Sequence, residues 1–374
     1  MKKIAVFTGT RAEYGLMRTL IKLIDKDKYF KLFLLISSTH LDKKFGSTIN
    51  EIENDGIKEK HIIPVRVNTV KKSDMAKHVS EIIKLVSEKL EELKPDYLIV
   101  LGDRFETLGA TLSAHLLGIK IIHIHGGETS LGALDDKLRH SISQLSTIHF
   151  TSAEIHQKKV IQMIGVNKNI FNIGPMVIDG LLNMNLVSKE EFEKKTNYSF
   201  AKRNFLITYH PETLSKDLGI SSFENLLDVL NNYECNLLFT SPNSDVGSNL
   251  ILERILNYIK IKNNRCFYIP SLGQELYLNA LRLFDCVIGN SSSGITEAPI
   301  MKRNVLNVGI RQKGRHRFGS VIEVSGDYDS INKTMSKIFQ NKNFCEFDLE
   351  NFKKINITKS PSKQIIKILK SINP

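Results

Sequence analysis

Short apolar runs alternate with helical ones along the chain, and this alternation restricts the possible folds more than any other feature. Between residues 79 and 93 the apolar residues lie three or four apart, as on one face of a helix. Pro95 follows, and Tyr97–Leu101 is a nearly continuous apolar run, typical of a buried parallel strand. Further elements are predicted as strands at Lys3–Thr8, Lys31–Ser37, Lys120–Ile124 and Ile148–Thr151, with a helix at Glu13–Ile24. The pattern predicts a doubly wound α/β sheet.

A second alternating series begins after residue 175 and predicts a second domain of the same class. Its strands are predicted at Phe205–Tyr209, Leu237–Ser241, Phe267–Pro270, Cys286–Gly289 and Val305–Val308. We place the boundary at Gly174-Pro175, which gives Rossmann-like domains at residues 1–174 and 175–374. The last helix, Ser362–Ile372, is expected to pack back on the N-terminal domain. Two such sheets would face each other across a cleft.

Polar clusters follow the predicted strands, at the edge where open α/β sheets bind ligands. Gly9-Thr-Arg-Ala-Glu-Tyr-Gly15 follows the first strand, and it predicts a tight turn into a helix whose N-terminus attracts an anion, with Arg11 as an added donor. Asp103 follows Tyr97–Leu101 and suits acid–base work or hydroxyl binding. The structural alternatives are an Arg11–Glu13 pair in solvent and Asp103 as a helix N-cap.

The densest polar cluster runs from His123 to His140. It contains three histidines, three carboxylates and one arginine, namely His123, His125, His140, Glu128, Asp135, Asp136 and Arg139. A glycine pair after His125 indicates a loop, so these groups do not form one stripe on a helix. Opposed carboxylates are what a reaction needs when a proton leaves one face of a carbon and returns to the other. The cluster therefore predicts acid–base chemistry rather than a solvated surface loop.

Three further clusters follow strands of the second series. His210 could contact a phosphate oxygen, although a lone histidine is more often structural. Gly289-Asn-Ser-Ser-Ser-Gly predicts a phosphate cradle that opens a helix, with Glu297 one turn in, where a carboxylate can accept from ribose hydroxyls. The basic residues from Arg311 to Arg317 could clamp phosphates or close over the cleft, and the structural alternative is a solvated basic loop.

The chain carries 52 Lys and Arg against 40 Asp and Glu, a formal charge of +12. This excess suggests nucleic acid, but no basic stripe with interleaved aromatics and no helix-turn-helix or finger pattern accompanies it. Lysines are spread over the whole chain. We therefore expect no nucleic-acid partner, and a charge that helps to attract an anionic small molecule.

Other features bear on membranes, export and metals. No run reaches the ~18 apolar residues of a membrane helix, and the apolar start ends at Thr8-Gly9, too early for a signal peptide. The four cysteines are scattered at Cys235, Cys266, Cys286 and Cys345, and no zinc motif occurs. We expect a cytoplasmic protein with reduced thiols, no metal and no membrane partner.

Six motifs occur together in order. They are Gly9-Thr-Arg-Ala-Glu-Tyr-Gly15, Gly102-Asp-Arg, His123-x-His-Gly-Gly-Glu128 through His140, His210-Pro-Glu-Thr, Asn290-Ser-Ser-Ser-Gly-x-x-Glu297 and Gly309-x-Arg-Gln-x-Gly-Arg315. This set resembles the hydrolysing UDP-N-acetylglucosamine 2-epimerases, bacterial enzymes that make N-acetylmannosamine for sialic acid-type sugars, over about residues 1–325. The resemblance implies the two-domain GT-B architecture, with UDP held mainly by the C-terminal domain. A homo-oligomer, dimer or tetramer, is expected.

The resemblance also implies a two-stage reaction without a redox cofactor. UDP leaves C1 while a base removes the C2 proton, which gives 2-acetamidoglucal. Water then adds at C1 and a proton returns to C2 from the other face, so that the products are N-acetylmannosamine and UDP. Asp103, Glu128, Asp135 and Asp136 would supply the acid–base carboxylates.

The binding positions implied by the resemblance come from both domains. They are Arg11 and His210 at the diphosphate, Ser291 and Ser292 at a helix N-terminus beside it, Glu297 at the ribose, Asn243 and Asp245 near the sugar or phosphates, Arg311 near the cleft mouth, and Arg104 and Arg139 among the remaining contacts.

The chain departs from the family at one position. In some members a glutamate stands where this chain has His125, whereas Glu128 lies in the same loop. Either Glu128 takes over the acid–base role or His125 shuttles the proton itself, which its near-neutral pKa would allow.

Other functions stay open at this point. The nearest is the same chemistry on UDP-N,N′-diacetylbacillosamine, the 4-acetamido-6-deoxy relative used for legionaminic acid. A GT-B glycosyltransferase would share the fold and the UDP cradle but would not need the carboxylate-rich loop. A non-catalytic UDP-sugar sensor would bind UDP without exchange of the C2 proton.

Overall fold

The computed structural model describes residues 1–42, 48–65, 71–131, 133–262, 264–340 and 347–372, and Cys345 lies outside them. The strands are β1 (Lys2–Thr8), β2 (Phe30–Ile36), β3 (Lys60–Ile62), β4 (Tyr97–Leu101), β5 (Lys120–Ile124), β6 (Ile148–Thr151), β7 (Ile170–Asn172), β8 (Asn204–Thr208), β9 (Asn236–Thr240), β10 (Cys266–Ile269), β11 (Cys286–Gly289), β12 (Asn304–Val308) and β13 (Ile322–Val324).

The helices alternate with these strands. They are α1 (Arg11–Lys26), α2 (Ile49–Asn54), α3 (Lys72–Leu93), α4 (Phe105–Leu116), α5 (Asp135–Leu145), α6 (Glu154–Ile164), α7 (Val177–Leu182), α8 (Lys189–Thr196), α9 (Ile220–Leu230), α10 (Ser248–Ile261), α11 (Gly273–Leu283), α12 (Glu297–Ile300), α13 (Tyr328–Gln340), α14 (Leu349–Asn356) and α15 (Pro361–Ser371).

The first compact unit contains a seven-stranded sheet in the order β3-β2-β1-β4-β5-β6-β7, and the described pairings are parallel. Ile4 and Val6 of β1 enter one apolar cluster, whereas Ala5 and Phe7 enter another on the opposite face. Both faces of β1 are therefore covered, which explains its continuous apolar sequence. The strand order reverses between β1 and β4, where doubly wound sheets bind ligands.

The second compact unit contains a six-stranded parallel sheet in the order β10-β9-β8-β11-β12-β13. Its strand order reverses between β8 and β11. His210 follows one of these strands and Asn290 the other, so both lie at the switch point. The predicted class, an α/β chain with two Rossmann-like sheets, is confirmed.

The two units are not continuous in sequence. The first comprises residues 1–128, 135–183 and 350–374, and the second comprises residues 129–134 and 184–349. In the second unit the N–H of Leu131 donates to the carbonyl oxygen of Lys313 (3.1 Å), and that of Leu134 donates to Oγ1 of Thr213 (3.1 Å). The domain boundary at 174 and 175 stays a prediction.

The C-terminal helix α15 packs against α1 in the first unit, where Ile365 and Leu369 join its apolar core. The buried carboxylate of Asp179 fixes the start of α15, since it accepts from the hydroxyl of Ser360 (2.5 Å) and from the N–H and hydroxyl of Ser362 (2.8 and 2.5 Å). Across the described ranges, no helix combines the length and the apolar character needed to cross a membrane.

Candidate active site

Arg139 lies at the centre of a carboxylate cluster in the first unit, with only 1% of the residue exposed. Its Nη1 donates to the carbonyl oxygen of His125 (2.9 Å) and lies 3.4 Å from Oε2 of Glu128. Its Nη2 donates to the carboxylate of Asp103. One guanidinium therefore holds two of the predicted acid–base residues through charge-assisted contacts.

Glu128 is the more enclosed of these two carboxylates. Its side chain is 6% exposed, against 17% for that of Asp103. Oε1 of Glu128 accepts from the hydroxyl of Ser152 (2.7 Å), which also bonds Nδ1 of His156 (2.9 Å). Ser152 directly follows β6 and was not identified from the sequence, because a serine at a strand end is too common to be a signal.

His125 faces Glu128 with one ring nitrogen and the backbone with the other. Nε2 accepts from the N–H of Met176 (3.1 Å), and Nδ1 lies 3.4 Å from Oε1 of Glu128. An Nε2 that accepts places the proton of the neutral ring on Nδ1. His125 has a left-handed backbone (φ +64°), and a Cβ on Gly127 (φ +79°) would lie 2.4 Å from the carbonyl oxygen of His156, so only glycine fits there.

His123 has a structural role rather than a role in substrate contact or catalysis. Its Nε2 donates to the carbonyl oxygen of Gly102 (2.8 Å), and its Nδ1 accepts from the hydroxyl of Ser143 (3.0 Å). Burial lowers the pKa of His123 to about 3, so the ring is neutral. It fixes β5 to the loop that carries Asp103.

Asp135 and Asp136 are the first two residues of α5, and Arg139 follows one turn later on the same helix. The partial positive charge of a helix N-terminus stabilises carboxylates in this turn. The carboxylate of Asp136 lies 3.6 Å from Nε2 of His140. Helix α5 thus carries two predicted acid–base residues together with the arginine that holds the other two.

The turn into α1 is closed by the buried carboxylate of Glu13. Oε2 of Glu13 accepts from the N–H groups of Gly9 (2.7 Å) and Thr10 (3.0 Å), and Oε1 accepts from the hydroxyl of Thr107 (2.8 Å). Burial, and then the charge of Glu106, raise the pKa of Glu13 to about 7. The turn beside Arg11 therefore offers an anion fewer backbone donors than the sequence suggested.

Arg104 forms an ion pair with the fully buried Glu106, with Nε 3.3 Å from Oε2. Its guanidinium also lies over the ring of Phe105, 4.9 Å from the centroid. The structure thus gives Arg104 a charge-balancing position, and its contact with a substrate stays a prediction.

In the second unit, His210 is fixed by the loops that follow β9 and β11. Its Nδ1 accepts from the N–H of Asn243 (3.0 Å), so the neutral ring carries its proton on Nε2. Its backbone N–H donates to Oδ1 of Asn290 (2.7 Å), and its carbonyl oxygen accepts from Nδ2 of Asn290 (2.9 Å). Asn290 was part of a quoted motif, but its bracing role needs the structure.

Arg311 follows β12 and reaches the same asparagine. Its Nη1 donates to the carbonyl oxygen of Asn290 (3.2 Å), as does Nε2 of Gln312 (2.6 Å). The loops that follow β8, β11 and β12 are therefore joined through one residue. His210, Asn290 and Arg311 come together as the sequence predicted for residues at one edge of a sheet.

The serine-rich segment differs from the prediction in its helix. Ser292–Gly294 form a single 3-10 turn, and Glu297 begins the separate four-residue helix α12, so the expectation of one helix opening at the serines is wrong. Oγ of Ser291 accepts from the N–H of Ser293 (3.5 Å). Gly289 ends β11 at φ +134°, where a Cβ would lie 2.1 Å from the carbonyl oxygen of Thr208.

Asn243 and Asp245 form a local turn after β9. The side-chain amide of Asn243 donates to Asp245, whose backbone N–H donates back to Oδ1 of Asn243 (3.3 Å). The described part of the chain contains no group of three or more His, Cys, Asp or Glu side chains that could hold a metal ion.

Sequence comparison relates the chain to known proteins over nearly its whole length. The family described as UDP-N-acetylglucosamine 2-epimerase matches residues 22–370. The chain is 36% identical to the GDP/UDP-N,N′-diacetylbacillosamine 2-epimerase (hydrolyzing) of Campylobacter jejuni, covering 100% of this chain and 96% of that protein. It is 35% identical to the UDP-N,N′-diacetylbacillosamine 2-epimerase (hydrolyzing) of Legionella pneumophila (88% and 87% covered) and 31% identical to the UDP-N-acetylglucosamine 2-epimerase of Neisseria meningitidis (89% and 85%).

Solved structures share the fold. The Neisseria meningitidis UDP-GlcNAc 2-epimerase bound to UDP-GlcNAc superposes with a TM-score of 0.78 at 18% identity, covering 100% of both chains. The Methanocaldococcus jannaschii UDP-GlcNAc 2-epimerase in complex with UDP-GlcNAc and UDP gives 0.77 at 18% identity, covering 98% of this chain and 99% of that one. The resemblance inferred from six motifs is confirmed: the chain belongs to the UDP-N-acetylglucosamine 2-epimerase family.

Proposed function

We propose that the chain is a hydrolysing 2-epimerase that acts on UDP-N,N′-diacetylbacillosamine. The observation that carries this proposal is that the relatives from Campylobacter jejuni and Legionella pneumophila, at 36% and 35% identity, are both described by this substrate. Their descriptions support the alternative of the sequence analysis over its principal prediction, UDP-N-acetylglucosamine.

The proposed chemistry concerns C1 and C2 of the sugar, which the two candidate substrates share. In the first stage the C2–H bond and the C1–O bond to UDP break, and a C1=C2 double bond forms. In the second stage water supplies a hydroxyl to C1, and a proton is added to C2 from the opposite face. The products are UDP and the free sugar with inverted C2.

Proton transfer is assigned to the carboxylates of the first unit, Asp103, Glu128, Asp135 and Asp136. Between Glu128 and His125, Glu128 suits this role better, because Nε2 of His125 accepts from the backbone of Met176 and its Nδ1 proton faces Glu128. Asp103 keeps the larger exposed fraction of the two carboxylates bound to Arg139. Arg139 is assigned a positioning role toward both.

UDP binding is assigned to the loops of the second unit. Because Nδ1 of His210 accepts from the N–H of Asn243, the proton of the neutral ring lies on Nε2, and this N–H would donate to a diphosphate oxygen. Arg311 would add positive charge, Ser291 and Ser292 would add hydroxyl donors, and Glu297 would accept from ribose hydroxyls. Arg11 is the corresponding cation assigned from the first unit, with Asn243 and Asp245 near the sugar or phosphates.

Side-by-side kinetics test the substrate. UDP release is measured on UDP-N,N′-diacetylbacillosamine and on UDP-N-acetylglucosamine under the same conditions, without an acceptor. The proposal predicts a higher kcat/KM for the first substrate. A higher value for the second would contradict it, and release of UDP only in the presence of an acceptor would point to a glycosyltransferase.

UDP-N-acetylglucosamine is the second candidate substrate. The observation in its favour is the Neisseria meningitidis relative, which is 31% identical over 89% of this chain and is described by that substrate. The same kinetic comparison separates the two candidates.

A further inference from the structure

Glu212 is a buried carboxylate of the second unit that the proposed reaction does not use. It lies two residues after His210, with 3% of the residue exposed. Its Oε1 accepts from the backbone N–H groups of Ile310 (2.8 Å) and Arg311 (3.3 Å). A single carboxylate oxygen of the loop after β8 therefore holds the backbone of the loop after β12.

The chain leaves room for this carboxylate at two glycines with left-handed backbones. A Cβ on Gly309 (φ +85°) would lie 2.2 Å from Oε1 of Glu212, and a Cβ on Gly219 (φ +75°) would lie 2.8 Å from its Cγ. Real Cβ atoms do not approach other atoms this closely, so a side chain at either glycine would displace the carboxylate. Two separate segments thus fit around the one side chain.

Opposing effects act on the charge of Glu212. Burial, the largest of them, raises the pKa of its carboxyl, as does the charge of Asp217, whereas the two N–H groups and the Arg311 guanidinium lower it. The Arg311 side chain reaches the carbonyl oxygen of Asn290, whose side chain is bonded to the backbone of His210 on both sides. Glu212 and Asn290 therefore connect the same two loops at different points.

We propose that Glu212 is a positioning residue for UDP binding, which ties the backbone of Arg311 to the loop that carries His210 and so holds Arg311 where it would meet the diphosphate. This inference rests on the proposed function, in which Arg311 and His210 contact the nucleotide. Because Glu212 would act through Arg311 and not on the sugar, its removal should weaken UDP binding more than it slows the chemistry.

The test compares Glu212→Ala with Glu212→Gln. The amide oxygen of Gln can still accept from Ile310 and Arg311, whereas Ala leaves both N–H groups without this acceptor. We expect Glu212→Ala to raise the Kd for UDP, measured by calorimetry, and the KM for the preferred UDP-sugar about tenfold, and Glu212→Gln to restore both to within about threefold. The kcat of both variants should stay within about threefold of wild type.

Gly309→Ala provides a second variant with the carboxylate retained but displaced, and it should raise KM in the same direction. Asp179→Ala is the matched control, because Asp179 is also a buried carboxylate that accepts from a backbone N–H, in the first unit. It should lower the unfolding temperature without changing the Kd for UDP.

The outcomes separate this inference from the proposed function. Wild-type protein that fails to bind UDP overturns both. Wild-type protein that binds UDP, with a folded Glu212→Ala or Gly309→Ala variant of unchanged Kd, overturns the inference alone. So does a Glu212→Gln variant that binds UDP no better than Glu212→Ala, or a kcat that falls as much as KM rises.

Discussion

Glu128 and His125 are the pair of residues on which the acid–base assignment depends. Nδ1 of His125 lies 3.4 Å from Oε1 of Glu128, and Nε2 of His125 accepts a hydrogen bond from the backbone N–H of Met176. We expect Glu128→Gln to lower kcat by about 10²–10⁴-fold, the usual contribution of a general acid or base. His125→Asn, in which Asn tolerates the left-handed backbone, should cost about fivefold, as for one lost hydrogen bond. Steady-state kinetics of both variants test this assignment, and a larger loss of kcat in His125→Asn than in Glu128→Gln would contradict it.

Arg139 balances the charge of the same cluster. Arg139→Met would leave Asp103 and Glu128 without their shared cation in a buried site. Removal of one partner of a buried ion pair costs about 3–5 kcal/mol of unfolding free energy, and we expect a loss of this size. Arg254→Met is the control, because its pair with Glu224 is largely solvated and is expected to be worth less than about 1 kcal/mol. Urea unfolding measures both, and equal midpoints for Arg139→Met and wild type would refute the role.

At the scale of elements, the turn into α1 predicts a pH dependence of stability. Folding raises the pKa of Glu13 from 4.5 to about 7. In that window the folded chain holds a proton that the unfolded chain has released, so the contribution of Glu13 to stability is present below about pH 4.5 and is lost as the pH rises through 7.

Glu13→Gln removes this titration and can keep the same hydrogen bonds, with its amide oxygen toward Gly9 and Thr10 and its NH₂ toward Thr107. As the pH is raised from 5 to 8, wild type should therefore lose stability relative to this variant. Denaturant unfolding at both pH values measures this change. Glu154→Gln is the control, because Glu154 is exposed and its pKa lies below the usual value. This variant should show the same change in stability between pH 5 and pH 8 as wild type. A wild-type protein that gains stability relative to Glu13→Gln over this range would exclude the explanation.

The sequence predicted the central strands and the edge strand β10, but not the edge strands β3, β7 and β13. Buried strands such as Tyr97–Leu101 need apolar residues on both faces, so they stand out as continuous runs. In contrast, β3, β7 and β13 are three residues long, and Lys60–Ile62 contains a lysine and a histidine. Each of them pairs with a neighbouring strand at a sheet edge. Their own residues do not predict a strand, because the pairing depends on that neighbour.

At the scale of the whole molecule, chain topology explains which parts of the site were predictable. Asp103 and Glu128 follow strands of the first sheet and His210 follows a strand of the second, and within each sheet the parallel strands bring their carboxyl ends to one edge. Arg139, on helix α5, holds Asp103 and Glu128, and Glu212, in the loop after β8, holds the backbone of Ile310 and Arg311. Such contacts depend on strand order and on the packing of loops, so residue type and spacing alone did not assign them.

The central claim is that the chain inverts C2 of a UDP-sugar by removing and returning a proton while UDP leaves. Incubation with UDP-N,N′-diacetylbacillosamine in D₂O, followed by NMR of the products, tests it most directly. The account predicts free sugar with inverted C2 carrying solvent deuterium at that carbon, together with UDP. Release of the sugar with C2 uninverted and unlabelled, or UDP binding without any turnover, would contradict it.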